Sequence, residues 1–118
     1  MILENGENEV VMSDAFQDRE RGFEVKFQQD QDRQFRIRAR RDRLFGLWVA
    51  RQLGLTDTAA ATYSDSVVNS NFDAGGDETM LSKVRIDLKN AGRKVTEGEL
   101  RSELVTAGVT AIREASPY

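Results

Sequence analysis

The chain has 118 residues, a formal net charge of -3 and 31% charged residues, which fits one charge-rich domain. It contains no Cys and no His, which excludes disulfides, thiolate metal sites, Cys nucleophiles and imidazole bases. No apolar run approaches the ~20 residues of a membrane span, and Met1 to Asn5 lack the basic and apolar regions of a secretory signal. We therefore expect an intracellular, non-enzymatic protein that does not insert into membranes.

The N-terminal part of the chain predicts a poorly packed arm. Residues 1–11 carry three Glu and no Lys or Arg, which predicts a disordered N-terminal extension. Residues 12–34 predict a marginal helix, because their last part, residues 28–34, has no apolar side chain and so nothing with which to pack. We expect this arm to be largely disordered in the free protein and to project from the rest of the chain.

Three phenylalanines provide the main apolar feature of the arm. On a helix, Phe16, Phe23 and Phe27 lie within about 20° of one line. Charged residues surround this line, and Gly22 costs about 1 kcal/mol relative to Ala in a helix interior. A short helix with one aromatic stripe is typical of a segment that folds into a groove on a partner.

Residues 35–118 predict a small all-α four-helix bundle with short loops. The apolar spacing predicts helices over 35–53, 57–72, 77–91 and 97–114. Thr56 and Thr96 stand at N-cap positions, and Glu99 completes a capping box with Thr96. The predicted buried residues are Ile37, Leu44, Phe45, Trp48, Val49, Leu53, Ala60, Tyr63, Val67, Val68, Phe72, Leu81, Val84, Leu88, Ala91, Leu100, Leu104, Ala107 and Ala111, with Val105, Val109 and Ile112 widening the face of the last helix.

The basic stretch from Arg33 to Arg43 holds six arginines and one aspartate. On a helix these arginines spread around most of the circumference. Three interpretations are open: a solvated face paired with acidic residues of the third and fourth helices, a docking surface for an acidic partner, and a nucleic-acid-binding module. We rank them in that order because the whole chain is acidic.

A cluster of carboxylates raises the possibility of a metal-binding site. Asp73, Asp77 and Glu78 cluster closely enough for a weak divalent-cation site, but their spacing does not match an EF-hand loop. Asp77 and Glu78 also suit the first turn of a helix, which we favour. We predict no metal site and no catalytic residues.

Three segments resemble one known family. FQDRERGFEVKF at residues 16–27 is similar to the opening motif F-x-D-R-E-[KR]-x-x-E-x-K-[FY] of the ζ subunit family, the inhibitors of the α-proteobacterial F1Fo-ATP synthase. ARRDRLFGLW at residues 39–48 and FDAGGDE at residues 72–78 are similar to further family motifs, and the likeness begins near Met12. The chain departs from the family in Asn71, where an acid is usual, and in Gly75, where proline is usual. We expect the second change to loosen the start of the third helix.

The resemblance implies an inhibitor that blocks ATP hydrolysis by F1. The family's arm enters the catalytic α/β interface of F1, folds against the γ shaft and stops rotation in the hydrolysing direction. Phe16 and Phe23 would then be anchors, and Arg19, Glu20 and Arg21 would meet charges in the interface. The residues assigned to partner binding are Phe16, Asp18, Arg19, Glu20, Arg21, Phe23, Lys26 and Phe27.

The resemblance also carries expectations about ligands and location. It implies weak ADP or ATP binding by the bundle, to which we assign no residue. The partners are the α, β and γ subunits of F1. We expect a monomer when the protein is free, and a cytoplasmic protein that is peripheral to the inner membrane when it is bound to F1.

The absence of His makes one prediction about pH. Without an imidazole, no side chain of ordinary pKa in this chain changes its charge between pH 6 and 8. We expect inhibition of F1 by this protein to change little over that range, as measured by ATPase titrations with F1 controls at each pH. A steep loss of inhibition that is traced to this chain would contradict the prediction.

Overall fold

A computed structural model describes the backbone of residues 2–116 and the side chains of residues 17–73 and 75–116. These residues form four α-helices and no strand, which confirms the all-α class. The helices are α1 Ile2–Gln52, α2 Asp57–Ala74, α3 Asp77–Asn90 and α4 Glu97–Ala115. Two compact units divide the chain, residues 1–34 and residues 35–118.

The first unit consists of the N-terminal part of α1. Its backbone is helical from Ile2, and every side chain of residues 17–34 is exposed. The side chains of residues 1–16, including Phe16, lie outside the described residues. The disorder expected of residues 1–11 and the marginal stability of the arm therefore stay predictions.

The second unit is a four-helix bundle with its own core. The last part of α1 and the other three helices each contribute buried apolar side chains to that core, largely on the predicted faces. α3 also buries Met80 beside Leu81, so its buried face is wider than the predicted seam. Trp48 is partly buried against this core. The core residues are Phe45, Val49, Val67, Met80, Leu81, Val84, Leu88, Leu100, Leu104 and Ala107.

The prediction for the width of the α4 face was wrong. Val105, Val109 and Ile112 are exposed, although the predicted stripe from Leu100 to Ala111 is buried. The three exposed residues lie on the opposite side of the helix, and a helix at the surface of a bundle packs along one side. Ala91 is also exposed, because α3 ends at Asn90.

Both predicted N-cap residues stand at the start of a helix, and one of them makes the predicted side-chain hydrogen bonds. Gly54 follows α1 with a φ of +77°, in the left-handed region that favours glycine. Thr96 and Glu99 form the capping box, with the Glu99 amide donating to Thr96 Oγ1 at 3.1 Å. Thr56 stands at the N-cap of α2 but makes no side-chain cap hydrogen bond. Asp57, the first residue of that helix, has a φ of +51°, so the first turn of α2 is irregular.

The helices α1 and α2 approach each other closely at Gly46. A Cβ atom at this position would lie 2.9 Å from Ser64 Cα and 3.1 Å from Val67 Cβ. Ser64 is itself buried and donates from Oγ to the Arg43 carbonyl at 2.8 Å. Glycine at position 46 thus permits the backbone contact that brings the two helices together.

Substitution of Gly46 by Ala tests this contact. We expect Gly46→Ala to destabilise the bundle by about 1–3 kcal/mol, because the added methyl group displaces the backbone of α2 and this outweighs the gain in helix propensity. The measurement is chemical unfolding of the full chain.

Gly22→Ala is the matched control. An added Cβ at Gly22 has no atom within 4 Å, so this variant should gain helicity in the arm and leave bundle unfolding unchanged. Equal stability of Gly46→Ala and the parent protein would contradict the close approach.

Candidate functional site

The arm presents two exposed aromatic rings on one side of α1. Phe23 is 74% exposed and Phe27 is 57% exposed. They are one turn apart and differ by about 40° around the helix axis. Exposed rings of this size that follow one line of a helix mark a surface suited to contact with another macromolecule.

Two shallow hollows lie along this aromatic line. Arg19, Glu20, Phe23 and Glu24 line the first hollow. The second is lined by Phe23, Glu24, Phe27 and Gln28. Each hollow therefore has an aromatic wall and a carboxylate at its edge, a combination that can receive a side chain with an apolar stem and a polar end.

The charged residues assigned to partner binding are all exposed. Asp18, Arg19, Glu20, Arg21 and Lys26 make no ion pair among the described residues. In this state their charges are solvated. The structure thus places seven of the eight assigned residues on one exposed helix, and the eighth, Phe16, lies outside the described side chains.

The basic stretch of α1 is largely engaged within the bundle. Arg40 pairs with Glu114 at 2.7 Å, Arg43 pairs with Asp65 at 2.6 Å, and Arg41 pairs with Asp77 at 2.6 Å. These bonds reach α4, α2 and α3 respectively. This agrees with the first-ranked interpretation, although α2 was not among the helices expected to supply acids.

Arg38 makes a different kind of contact. Its guanidinium lies 5.0 Å from the centre of the Phe72 ring, and the Phe35 ring lies 4.8 Å from the same ring. Four of the six arginines thus have partners in the bundle. A continuous row of free cations, as a nucleic-acid-binding stripe would need, is absent from the described part of this stretch.

A buried carboxylate lies at the centre of the α1 contacts. Asp42 has no exposed surface, and its Oδ1 accepts from Arg41 Nε at 2.9 Å. Its Oδ2 accepts from Asn71 Nδ2 at 2.8 Å, and the same Asn71 nitrogen donates to Asp77 Oδ1 at 2.9 Å. The network therefore joins α1, α2 and α3. Among the described residues, every buried side-chain nitrogen or oxygen atom has a hydrogen-bond partner.

The two carboxylates of this network have opposite pKa shifts. Burial raises the pKa of Asp42, and the Arg41 guanidinium and the Asn71 amide offset only part of the rise. Burial acts in the same direction on Asp77, but hydrogen bonds from Arg41 and Asn71 outweigh it and hold the pKa of Asp77 below its ordinary value. Of the two carboxylates, Asp77 is therefore the one that is more readily ionised and pairs with Arg41 as an anion.

The network suits an amide at position 71, the first departure from the resemblance described above. An acid at position 71 would place a third carboxylate within hydrogen-bond distance of Asp42 and Asp77. The amide of Asn71 instead supplies two donors to these two acceptors.

The second departure lies in the turn between α2 and α3. Gly75 has a φ of +104°, which proline cannot adopt because its ring holds φ near about -65°. The Gly76 amide donates to the Asn71 carbonyl at 3.2 Å and closes the end of α2. Glycine permits this left-handed turn, and the looser start of α3 stays a prediction.

The acidic cluster at the start of α3 binds arginines. Asp77 is bound to Arg41, and Glu78 pairs with Arg101 at 3.1 Å. Within the described residues, no group of three or more carboxylates could hold a metal ion. No helix in that part of the chain is long and apolar enough to cross a membrane.

A basic cleft of about 330 Å³ separates the end of α3 from the start of α4. Its floor is apolar, and its rim carries four cations, of which Arg85 pairs with Glu97 at 2.8 Å. Among the described residues, Lys89, Arg93 and Lys94 make no ion pair. The lining residues are Arg85, Leu88, Lys89, Gly92, Arg93, Lys94, Val95 and Leu100.

Sequence reasoning missed the buried polar network and the basic cleft. The network had one usable signal, which is that Asp42 is the single acid in the basic stretch from Arg33 to Arg43. The cleft had a signal as well, because its four cations lie within the ten residues from Arg85 to Lys94, but the apolar contribution of Leu100 depends on the packing of α4.

Comparisons with known proteins agree with the resemblance. The family model for ATPase inhibitor subunit zeta matches residues 12–114. A protein solved by solution NMR matches with 34% sequence identity over 69% of this chain and 92% of its own, with a TM-score of 0.61. No curated protein matches the chain. The family match begins at residue 12, where the sequence likeness also begins.

Replacement of Asp77 by Asn tests the ionic part of the network. The lowered pKa of Asp77 means that its ionised form stabilises the fold above an unfolded-state pKa of about 3.9, and that this stabilisation is lost as pH falls through the folded-state pKa. We expect Asp77→Asn to lower stability at pH 7, and the difference from the parent to shrink at pH values below about 4. Chemical unfolding at several pH values measures the difference.

Glu78→Gln is the matched control for this experiment. Glu78 is also an acid in the first turn of α3, but its pair with Arg101 is solvent-exposed, so its removal should change stability by less than about 1 kcal/mol. A loss as large as that of Asp77→Asn, or a loss for Asp77→Asn that persists unchanged at acid pH, would contradict the assignment.

Proposed function

The chain belongs to the ATPase inhibitor subunit zeta family, and on that premise we propose that residues 12–27 inhibit ATP hydrolysis by inserting into the catalytic α/β interface of F1. The inserted arm then lies against the γ subunit and blocks rotation in the hydrolysing direction. The bundle carries the arm and holds it at the complex.

The exposed aromatic line is the observation that carries this proposal. Phe23 and Phe27 each expose more than half of their surface. Burial of apolar surface contributes about 25 cal/mol per Å², so insertion of both rings into a groove stabilises a complex by several kcal/mol. Anchors of this type near the centre of an interface usually dominate the binding energy.

The polar segment that follows supports a role as a separate arm. Residues 28–34 have no apolar side chain, and all of them are exposed. A helix of this composition gains little from packing within its own molecule, so much of its order must come from a partner. The conformational entropy lost on ordering then reduces the affinity that the aromatic anchors supply.

The bundle supports the proposal because it forms a compact unit without the arm. Residues 35–118 have their own core and their own buried polar network. We therefore expect this unit to fold without residues 1–27. We also expect no hydrolase activity of the isolated protein, and a location in the cytoplasm and at the inner membrane when it is bound to F1.

Weak ADP or ATP binding is a further expectation of the family. The cleft between α3 and α4 fits it by its chemistry: Lys89, Arg93 and Lys94 can meet phosphates, and an apolar floor can contact a base. No step of the proposed inhibition depends on this cleft. The alternative of a nucleic-acid-binding module has less support, because Arg40, Arg41 and Arg43 are engaged in pairs within the bundle.

Deletion of residues 1–27 tests the function of the arm. We expect the truncated protein to keep the cooperative unfolding of the bundle and to lose inhibition, because both exposed rings are removed. The measurement is a titration into purified cognate F1 with ATP hydrolysis as the readout. Undiminished inhibition by the truncated protein would contradict the proposal.

A pair of point variants tests the aromatic line within the full chain. Phe23→Ala should weaken inhibition by more than about tenfold, as expected for a central aromatic anchor. Val25→Ala is the control, since Val25 is 56% exposed but lies on the other side of the helix. Equal effects of the two variants would place the contact surface elsewhere.

A further inference from the structure

The charges of the arm are sorted on the two sides of its aromatic line. Arg19, Lys26 and Arg33 follow one another at intervals of seven residues. Measured around the helix axis, all three lie about 60–100° to one side of the line midway between Phe23 and Phe27. Glu20 and Glu24 lie about 40–80° to the other side. We call these the basic edge and the acidic edge.

The rest of the arm is not sorted in this way. The side opposite the aromatic line carries both signs, with Asp18, Arg21 and Asp32 within about 60° of one another around the helix axis. Asp30 lies between the aromatic line and the basic edge one turn beyond Phe27, so the separation of charge is sharpest between residues 19 and 27.

Residues 17–34 carry five acidic and four basic side chains, so this segment is almost neutral as a whole. Net charge therefore contributes little to its attraction to a partner, and the distribution of charge must decide any electrostatic preference. All the residues of both edges are exposed and make no ion pair among the described residues. Their charges are free to pair across an interface.

We propose that the arm binds with a fixed rotation about its axis, between a carboxylate-bearing surface of F1 along the basic edge and a Lys- or Arg-bearing surface along the acidic edge. This inference rests on the proposed function, because it assigns the chemistry of the groove that receives the arm. The aromatic line supplies affinity, and the two edges select the rotation in which both rings are buried.

The hollows beside Phe23 support the assignment of the acidic edge. Both hollows include Phe23 and Glu24; one of them also includes Glu20 and Arg19, and the other has no cation in its lining. A Lys or Arg of the partner can lay its apolar stem against the Phe23 ring and place its cation at Glu20 or Glu24. An acidic side chain there would face two carboxylates, which disfavours the opposite rotation.

An exchange of charge between the two edges tests the inference at constant composition. The double variant Arg19→Glu/Glu20→Lys reverses one position of each edge and leaves the net charge unchanged. We expect it to raise the half-inhibitory concentration for F1 by at least about tenfold, because each exchanged charge meets a like charge. Lys26→Glu should weaken inhibition as well, and the loss should diminish at high ionic strength.

The matched control exchanges two charges on the opposite side. Asp32→Arg/Arg36→Asp also keeps the net charge and involves two exposed residues of α1, about one turn apart and opposite the aromatic line, neither of which is assigned to partner binding. We expect it to inhibit within about twofold of the parent, since these side chains face away from the groove. Circular dichroism of both double variants checks that the helical content is equal.

The outcomes separate this inference from the function on which it rests. A loss of inhibition confined to the edge variants supports the fixed rotation. Equal losses in both exchanges, or no loss in either, would overturn it. The protein that lacks residues 1–27 is tested in parallel. If it still inhibits, the proposed function fails; if it does not, and the two exchanges behave alike, the assignment of the edges alone is wrong.

Discussion

The carboxylate of Asp42 is the constraint on which the bundle depends. A buried charge without partners costs several kcal/mol, so this side chain forces its surroundings to supply hydrogen bonds. Arg41 and Asn71 supply them, and Asp77 shares both. One buried group thus determines which residues of α1, α2 and α3 must meet.

The same network uses part of the basic charge of α1. Arg41 is committed to Asp42 and Asp77, and Arg40 and Arg43 are bound at α4 and α2. What remains of the stretch is too discontinuous for a nucleic-acid stripe. The bundle is therefore held by its apolar core and by ion pairs to α1, and the arginines that make these pairs serve its own fold.

In contrast to the bundle, the arm leaves its described side chains exposed to solvent. Its rings and its charges are exposed, and residues 28–34 supply no apolar contact. A segment of this kind gains its binding energy from a partner, which is consistent with the family of ATPase inhibitors to which the chain belongs. The proposed division of labour has a stable bundle and an arm whose aromatic line and charged edges are reserved for F1.

The sequence by itself determined the four helices and most of the buried faces, because helical periodicity, capping residues and glycines act over a few residues of chain. From the same local patterns it predicts the position of the candidate arm. It could not determine the exposure of Val105, Val109 and Ile112. The apolar character of a residue does not show which side of its helix packs against another helix. The burial of Asp42 and the close approach at Gly46 were likewise decided by the tertiary structure. They depend on residues 18 or more positions away, such as Ser64 and Asn71, which packing alone brings into contact.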